Sequence, residues 1–165
     1  MTVMRMDSRK EFSSGAPRSQ ATEVSFMNMD RAKQVTVFLL RVVAGLLLLQ
    51  AGGMKLFDWF GGIPAEFGGH PPMMSQTWIG GVLEFYGGTA ILLGLFTRPV
   101  AFILSGEMAV AYFQFHQPGG TWPIQNHGEP AVLLCFIFLF LAAHGDGSWG
   151  IDGFIRRKTR RREKT

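Results

Sequence analysis

One cysteine, Cys135, and two tyrosines stand in a chain of 165 residues that carries 15 phenylalanines and 21 glycines. A single thiol makes no intrachain disulfide, and no group of Cys and His has the spacing of a metal site. No two histidines fall at matched depth on facing helices, which argues against a b-type haem. No cofactor is expected in the chain itself, so redox chemistry would have to come from a partner or a bound small molecule. Lys and Arg are missing from two long stretches, 57–77 and 116–129, although the chain holds 16 of them and a formal charge of +4. The basic residues gather at the two ends, which points to membrane orientation and anionic lipid and not to nucleic acid. Internal repeats of the solenoid kind are also absent.

What the chain does have is apolar length, within a size that suits one domain. Mean hydropathy is only +0.17, because residues 1–33 and 154–165 are polar and charged while the middle carries nearly all the hydrophobicity. The first apolar run, 34–56, has 23 residues and would be roughly 35 Å long as a helix, enough to cross hydrocarbon about 30 Å thick. It starts too late for a signal peptide and no small-residue cleavage site follows it, so an uncleaved anchor is expected. Further helices are predicted over 78–96, 99–115 and 130–143, with a short turn at Thr97, Arg98 and Pro99. The strictly apolar part of the last is only 13 residues, 131–143, a length that also suits a buried or re-entrant segment.

Charge decides the path. Six basic residues precede the first run, Arg98 sits in the turn between the second and third, and seven follow Ile155. Four spans put every basic residue outside the spans on one side, as the positive-inside rule favours, whereas three would strand the basic carboxy-terminal segment outside. Trp59, Trp78 and Trp122 then fall near the outer interface. The expected fold class is therefore all-α, a transmembrane four-helix bundle with both termini cytoplasmic (N-in/C-in) in the plasma (inner) membrane. Its parts are a disordered basic tail over 1–33, the four-helix domain over 34–150, and a second basic tail over 151–165.

Four charges fall inside or at the ends of these spans, and an ionised side chain at the bilayer centre costs at least about 2.5–3.5 kcal/mol on insertion scales. Arg41 and Glu107 lie seven and eight residues in from the cytoplasmic starts of their runs, roughly 10–12 Å deep, and are expected to pair. Lys55, at the outer end of the first run, is expected to reach Glu84 in the second. Arg41, Gly45, Leu48, Gly52 and Lys55 recur at steps of four and three, as do Gly80, Glu84, Gly87, Ile91 and Gly94, so charges and glycines share one stripe on each helix. That is the arrangement expected where two helices approach closely around buried polar groups. Tyr112, Gln114 and His116, with Asn126, His127 and Glu129 of the next loop, could line an outward-opening polar pocket suited to a quinone headgroup. Two plainer readings stand beside these: ions that merely lock the bundle, and loop side chains that are solvated or cap a turn.

Written out in order, these positions resemble the DoxX family of small bacterial membrane proteins. The resemblance rests on LLRVVAGLLLLQAGGMKLFDWFGGIP (39–64), GGVLEFYGGTAILLGLFTRPVAFILSGEMAVAYF (80–113) and NHGEPAVLLCFIFLFLAAHGDGSWGID (126–152). Its specific part is the ordered set Arg41, Gly53, Lys55, Glu84, Gly87, Gly88, Gly94, Thr97, Arg98, Gly128, Glu129, Gly145, Gly147, Ser148 and Asp152. The resemblance implies a four-helix membrane bundle acting as a subunit or accessory of a membrane oxidoreductase system. One branch of the family looks tied to quinone-coupled thiosulfate oxidation, and more distant relatives act as assembly factors.

Two functions follow as expectations. In the first, a quinone-linked oxidoreductase subunit, the catalytic carboxylates are Glu84 and Glu107, and Arg41, Lys55, Tyr112, His116, Asn126 and Glu129 bind substrate or quinone. A soluble or membrane oxidoreductase partner then supplies electrons. In the second, a non-catalytic membrane scaffold or assembly factor recruits a soluble enzyme. The lipid bilayer is a partner in both, and a homo-oligomer is compatible with either.

Overall fold

A computed structural model describes residues 20–147 and 149–162. Helix α1, Gln20–Phe57, is followed by a loop with two 3₁₀ turns, then by α2, Gln76–Leu93, and α3, Thr97–Ala111, which a π-helical turn continues over Tyr112–His116. A short α4, Pro123–Asn126, leads into α5, Glu129–His144, and α6, Ile151–Arg162, comes last. Among the described residues there is no strand, as expected of an all-α chain.

Several boundaries differ from the sequence expectation for identifiable reasons. Helix α1 begins at Gln20, so the 20–33 part of the expected disordered tail is helical; residues 1–19 lie outside the described residues. Ser75 starts α2 by accepting the Trp78 amide at 3.2 Å, an ordinary N-cap. Thr97 and Arg98, expected in a turn, open α3 instead, because the Asp152 carboxylate takes the Phe96 and Thr97 amides at 3.1 and 3.0 Å. The turn moves back to Gly94, at φ 71°, and Phe96, at φ 47°. A left-handed phenylalanine is strained, and the bonds from Asp152 hold it. The carboxy-terminal basic segment forms α6, which the charge pattern did not announce.

Helix α1 packs along α2, α3 packs along α5, and the α2–α3 seam between the two pairs is looser. The first pairing is made by glycine. A Cβ at Gly45 would stand 2.8 Å from the Leu92 amide nitrogen, and one at Gly88 would stand 2.6 Å from that of Leu49. Gly52 and Gly81 repeat this contact one heptad away. The expected stripe holds on α1, but on α2 it is displaced by one residue. Gly81 and Gly88 meet α1, whereas Gly80 and Gly87 face Glu107 and Leu104 of α3, because α2 has to touch helices on two sides. In the second pair, the Ser105 hydroxyl donates to the Cys135 carbonyl at 2.9 Å.

The distribution of polarity is inverted. Arg41, Glu84, Thr97 and Asp146 are at most 3% exposed, while Leu39, Val43, Leu47, Phe102, Phe113, Leu133 and Phe136 are between 52% and 67% exposed. Apolar surface of this extent is not left facing water by a monomeric soluble protein. One described helix is both long and apolar enough to cross a membrane, over Asn28–Phe57, and α5 is a shorter apolar helix.

Candidate functional site

The α1–α2 register decides which charges meet. Because Gly52 lies against Gly81 and Phe85, Lys55 at the end of α1 is level with the first turns of α2. Its ammonium reaches inward to Glu84 Oε1 at 2.5 Å, with the side chains 21% and 4% exposed. The expected Lys55–Glu84 pair therefore forms. Glu107 joins it, within electrostatic range of both partners. Glu84 stands nine residues before Leu93, the end of α2, and Glu107 ten residues after Thr97, the start of α3, so both lie about 14–15 Å from the turn between antiparallel helices.

The expected Arg41–Glu107 pair does not form. The same register carries Arg41, fourteen residues before Lys55, down to the level of Gly94, about a dozen ångströms or more below Glu107 along the bundle axis. Arg41 Nη1 donates to the Asp146 carbonyl at 2.9 Å and Nη2 to the Trp149 carbonyl at 3.0 Å. Around this fork the chain ties a second polar knot: Asp146 Oδ2 accepts the Gly153 amide at 2.6 Å, and the Asp152 amide donates to the Gly94 carbonyl at 3.0 Å. Arg41 thus positions the α5–α6 loop and does not reach the carboxylate site. The sequence reading missed the roles of Asp146 and Asp152; the run Gly145-Asp146-Gly147 followed by Asp152 is the only sequence signal for them.

The loop residues also divide. Asn126 is buried and fully used within its own loop, its side chain donating to the Gly120 carbonyl at 2.8 Å and accepting from the Gly128 amide at 2.9 Å. His116 Nδ1 lies 3.2 Å from the Asn126 carbonyl. Tyr112 packs on Gly128 and lines a separate apolar cavity of about 350 Å³ with Met108, Cys135 and Phe136. Glu129 opens α5 in its first turn, where its charge suits the positive end of the helix dipole. The structure therefore brings together Lys55, Glu84 and Glu107, and sets Tyr112, His116, Asn126 and Glu129 on another wall.

A cavity of about 280 Å³ opens beside Lys55 and Glu107, lined by Gln76, Thr77, Gly80, Leu83, Ile103 and Phe115 among others. The Gln76 amide donates to Gln114, a residue of the π turn, across its end. An apolar groove of about 260 Å³ lies along the same α2–α3 seam, and Leu83 and Ile103 line both. Glu84 Oε2 and Glu107 Oε2 are buried with no hydrogen-bond partner. Buried acceptors are normally satisfied, and of these two residues Glu107 lines the cavity, where a bound group could supply the missing donor. Among the described residues, no cluster of His, Cys, Asp and Glu could hold a metal ion.

The ion pair has a measurable consequence. Lys55→Met alone should destabilise the protein by about 3 kcal/mol, because it strands a buried carboxylate. Lys55→Met with Glu84→Leu should recover most of that loss in thermal unfolding in detergent. Simple additivity of the two single losses would show that the charges are not coupled.

Buried charges within helices whose outer faces are apolar define a class, the helical membrane proteins with a polar core. Residues 36–117 match the DoxX family. The chain is 34% identical over 138 residues to an uncharacterised protein of Haemophilus influenzae, covering 79% of this chain and 98% of that one. It is 31% identical over 139 residues to the inner membrane protein YqjF of Escherichia coli, covering 79% and 99%. An uncharacterised membrane protein of Mycobacterium tuberculosis, Rv3486, is 28% identical over 135 residues, covering 74% and 83%. The chain belongs to the DoxX family of membrane proteins. No solved structure matches it.

Proposed function

We propose that this protein is a four-span inner-membrane subunit that binds a lipid-soluble quinone between α2 and α3 and moves protons through Glu84 and Glu107. The observation that carries the reading is the pair of unpartnered buried carboxylate oxygens of Glu84 and Glu107, with Lys55 and Glu107 lining the cavity between α2 and α3. The residues suit both states of such a ligand. Lys55 spends one N–H on Glu84 and keeps donors for a carbonyl oxygen, while Glu84 Oε2 and Glu107 Oε2 can accept from hydroxyls. A bound quinone would supply the electron-accepting ring, taking two protons and two electrons, the latter from a partner oxidoreductase. Glu107 would hold or pass a proton at Oε2, and Glu84, held in place by the Lys55 ammonium at Oε1, would do the same at its own Oε2.

The topology is part of the same proposal. Exposed apolar side chains on α1, α2, α3 and α5 support four lipid-facing helices, with α2 about 27 Å and α5 about 24 Å long. Lys and Arg on either side of this belt are confined to the end that carries Arg31, Lys33, Arg98 and α6, which supports a cytoplasmic side for both termini under the positive-inside rule.

The test is binding of a short-chain quinone and its quinol to protein in nanodiscs, by equilibrium dialysis. Glu107→Gln should weaken quinol binding by about 10-fold or more, the range of one charged hydrogen bond, with thermal stability retained. No binding by the unaltered protein, or binding indifferent to both Glu84→Gln and Glu107→Gln, would remove the proposal. The second reading, a scaffold that recruits a soluble enzyme, is favoured by the exposed basic helix α6. It would be supported by crosslinking of a soluble partner to α6 with no quinone bound.

A further inference from the structure

Helix α6 plays no part in the site above, yet the fold fixes it closely. Its first turn is tied to the bundle by Asp152, which caps the start of α3, and by the Gly153 amide on Asp146. Two residues before it, Trp149 stacks edge-on against Phe38 of α1 at 5.5 Å between ring centroids. Phe38 lies five residues past Lys33, about 7.5 Å along the helix, between Val35 and Leu39 in the first turns of the exposed apolar surface that follows Lys33. The attachment of α6 is thus level with the edge of the apolar belt.

At this level the side chains sort by chemistry. Trp149, Ile151, Phe154 and Ile155 are 54%, 40%, 70% and 53% exposed. Phe96, on the neighbouring α2–α3 turn, is 65% exposed. Ile151, Phe154 and Ile155 recur at steps of three and four and share one face of α6. Beyond them come six basic residues within seven positions, 156–162, of which Arg157, Lys158 and Arg162 are exposed. One aromatic and aliphatic turn followed by a cationic helix, starting at the hydrocarbon edge, has the charge and depth of a helix lying in a membrane interface.

We infer that α6 is an interfacial helix that docks on anionic phospholipid headgroups of the leaflet next to the Arg31 and Lys33 end of α1, burying Ile151, Phe154 and Ile155 at the edge of the acyl region. A water-facing α6 would leave that apolar turn exposed next to the bilayer. The acidic surface it requires is the commonest one at that depth, and the inference does not depend on what occupies the α2–α3 groove.

The test uses the full-length protein with Cys135→Ser and Ile155→Cys, so that the one thiol carries an environment-sensitive fluorophore. The protein is placed in nanodiscs of phosphatidylcholine with increasing phosphatidylglycerol. The emission should shift to the blue and become quenchable by lipids spin-labelled near the headgroup as phosphatidylglycerol rises. Adding Arg157→Gln, Lys158→Gln and Arg162→Gln should lower the docking equilibrium constant at a given phosphatidylglycerol fraction by about fivefold per residue removed. Thermal unfolding of each variant shows that the bundle is intact. Water-like emission at every lipid composition would overturn the inference, as would a shift indifferent to phosphatidylglycerol or to the three neutralisations. Burial of the label only on addition of a soluble protein would overturn it in favour of a protein-docking helix.

Discussion

Gly52→Val is expected to cost about 3 kcal/mol or more and to separate α1 from α2. A Cβ at this position would overlap the Phe85 amide nitrogen and stand 2.7 Å from the Gly81 carbonyl oxygen. Both are backbone atoms within a helix and cannot move aside singly, so the damage exceeds the usual overpacking of a core by one or two methylenes. In a bilayer nothing offsets it, because close van der Waals contact is what drives helices together there. The comparison is Gly106→Ala on α3, where a Cβ meets nothing within 4 Å and the change should be neutral or stabilising by up to about 1 kcal/mol. Thermal unfolding of the two variants in detergent checks this, and similar values for both would show that the α1–α2 contact is not glycine-dependent. Lys55 and Glu84 sit on opposite sides of the same contact, so the Gly52 variant should also lose the proposed quinone binding.

Arg41→Met should be nearly as severe, about 3–5 kcal/mol, the range for removing one partner from a buried charged network. The guanidinium is 1% exposed and satisfies two carbonyls from the α5–α6 loop, with Asp146 and Asp152 in electrostatic range. Lysine cannot replace it, because one ammonium does not span two carbonyls as the planar fork does; Arg41→Lys should recover less than half of the loss. Its signature is local. Hydrogen exchange should speed up at Phe96, Thr97 and Gly153, whose amides the two aspartates hold, before it changes at Lys55 or Glu84. Uniform acceleration across the whole bundle would instead make Arg41 a general core residue with no particular hold on that loop.

Much of this protein could be read from residue order. Apolar runs long enough to span lipid, basic residues restricted to the ends and the ordered Gly and charge positions led to an all-α membrane protein of the DoxX family. The α1 stripe also survives, because helical periodicity is set by the backbone and needs no knowledge of the partner. Lys55 and Glu84 were legible as a pair since Lys55 ends α1 and its long side chain can reach inward along α2 to a residue of opposite charge.

The remainder required the fold. Arg41 and Glu107 looked equally deep only because each depth was counted from an assumed helix start; the contact of Gly52 with Gly81 fixes the α1–α2 register and sets Arg41 level with Gly94, well below Glu107. A helix facing two neighbours presents two stripes, so the one-residue displacement on α2 could not be found from periodicity on α2 alone. Asp152 caps a helix that starts 55 residues earlier, and no local pattern specifies so distant a bond. By itself the sequence determined which apolar segments are helical, because apolar length and periodicity are local, while the helicity of 20–33 and of α6 was not legible there. Only the tertiary structure decided which charges share a cavity, because that depends on how far each helix slides along its neighbour.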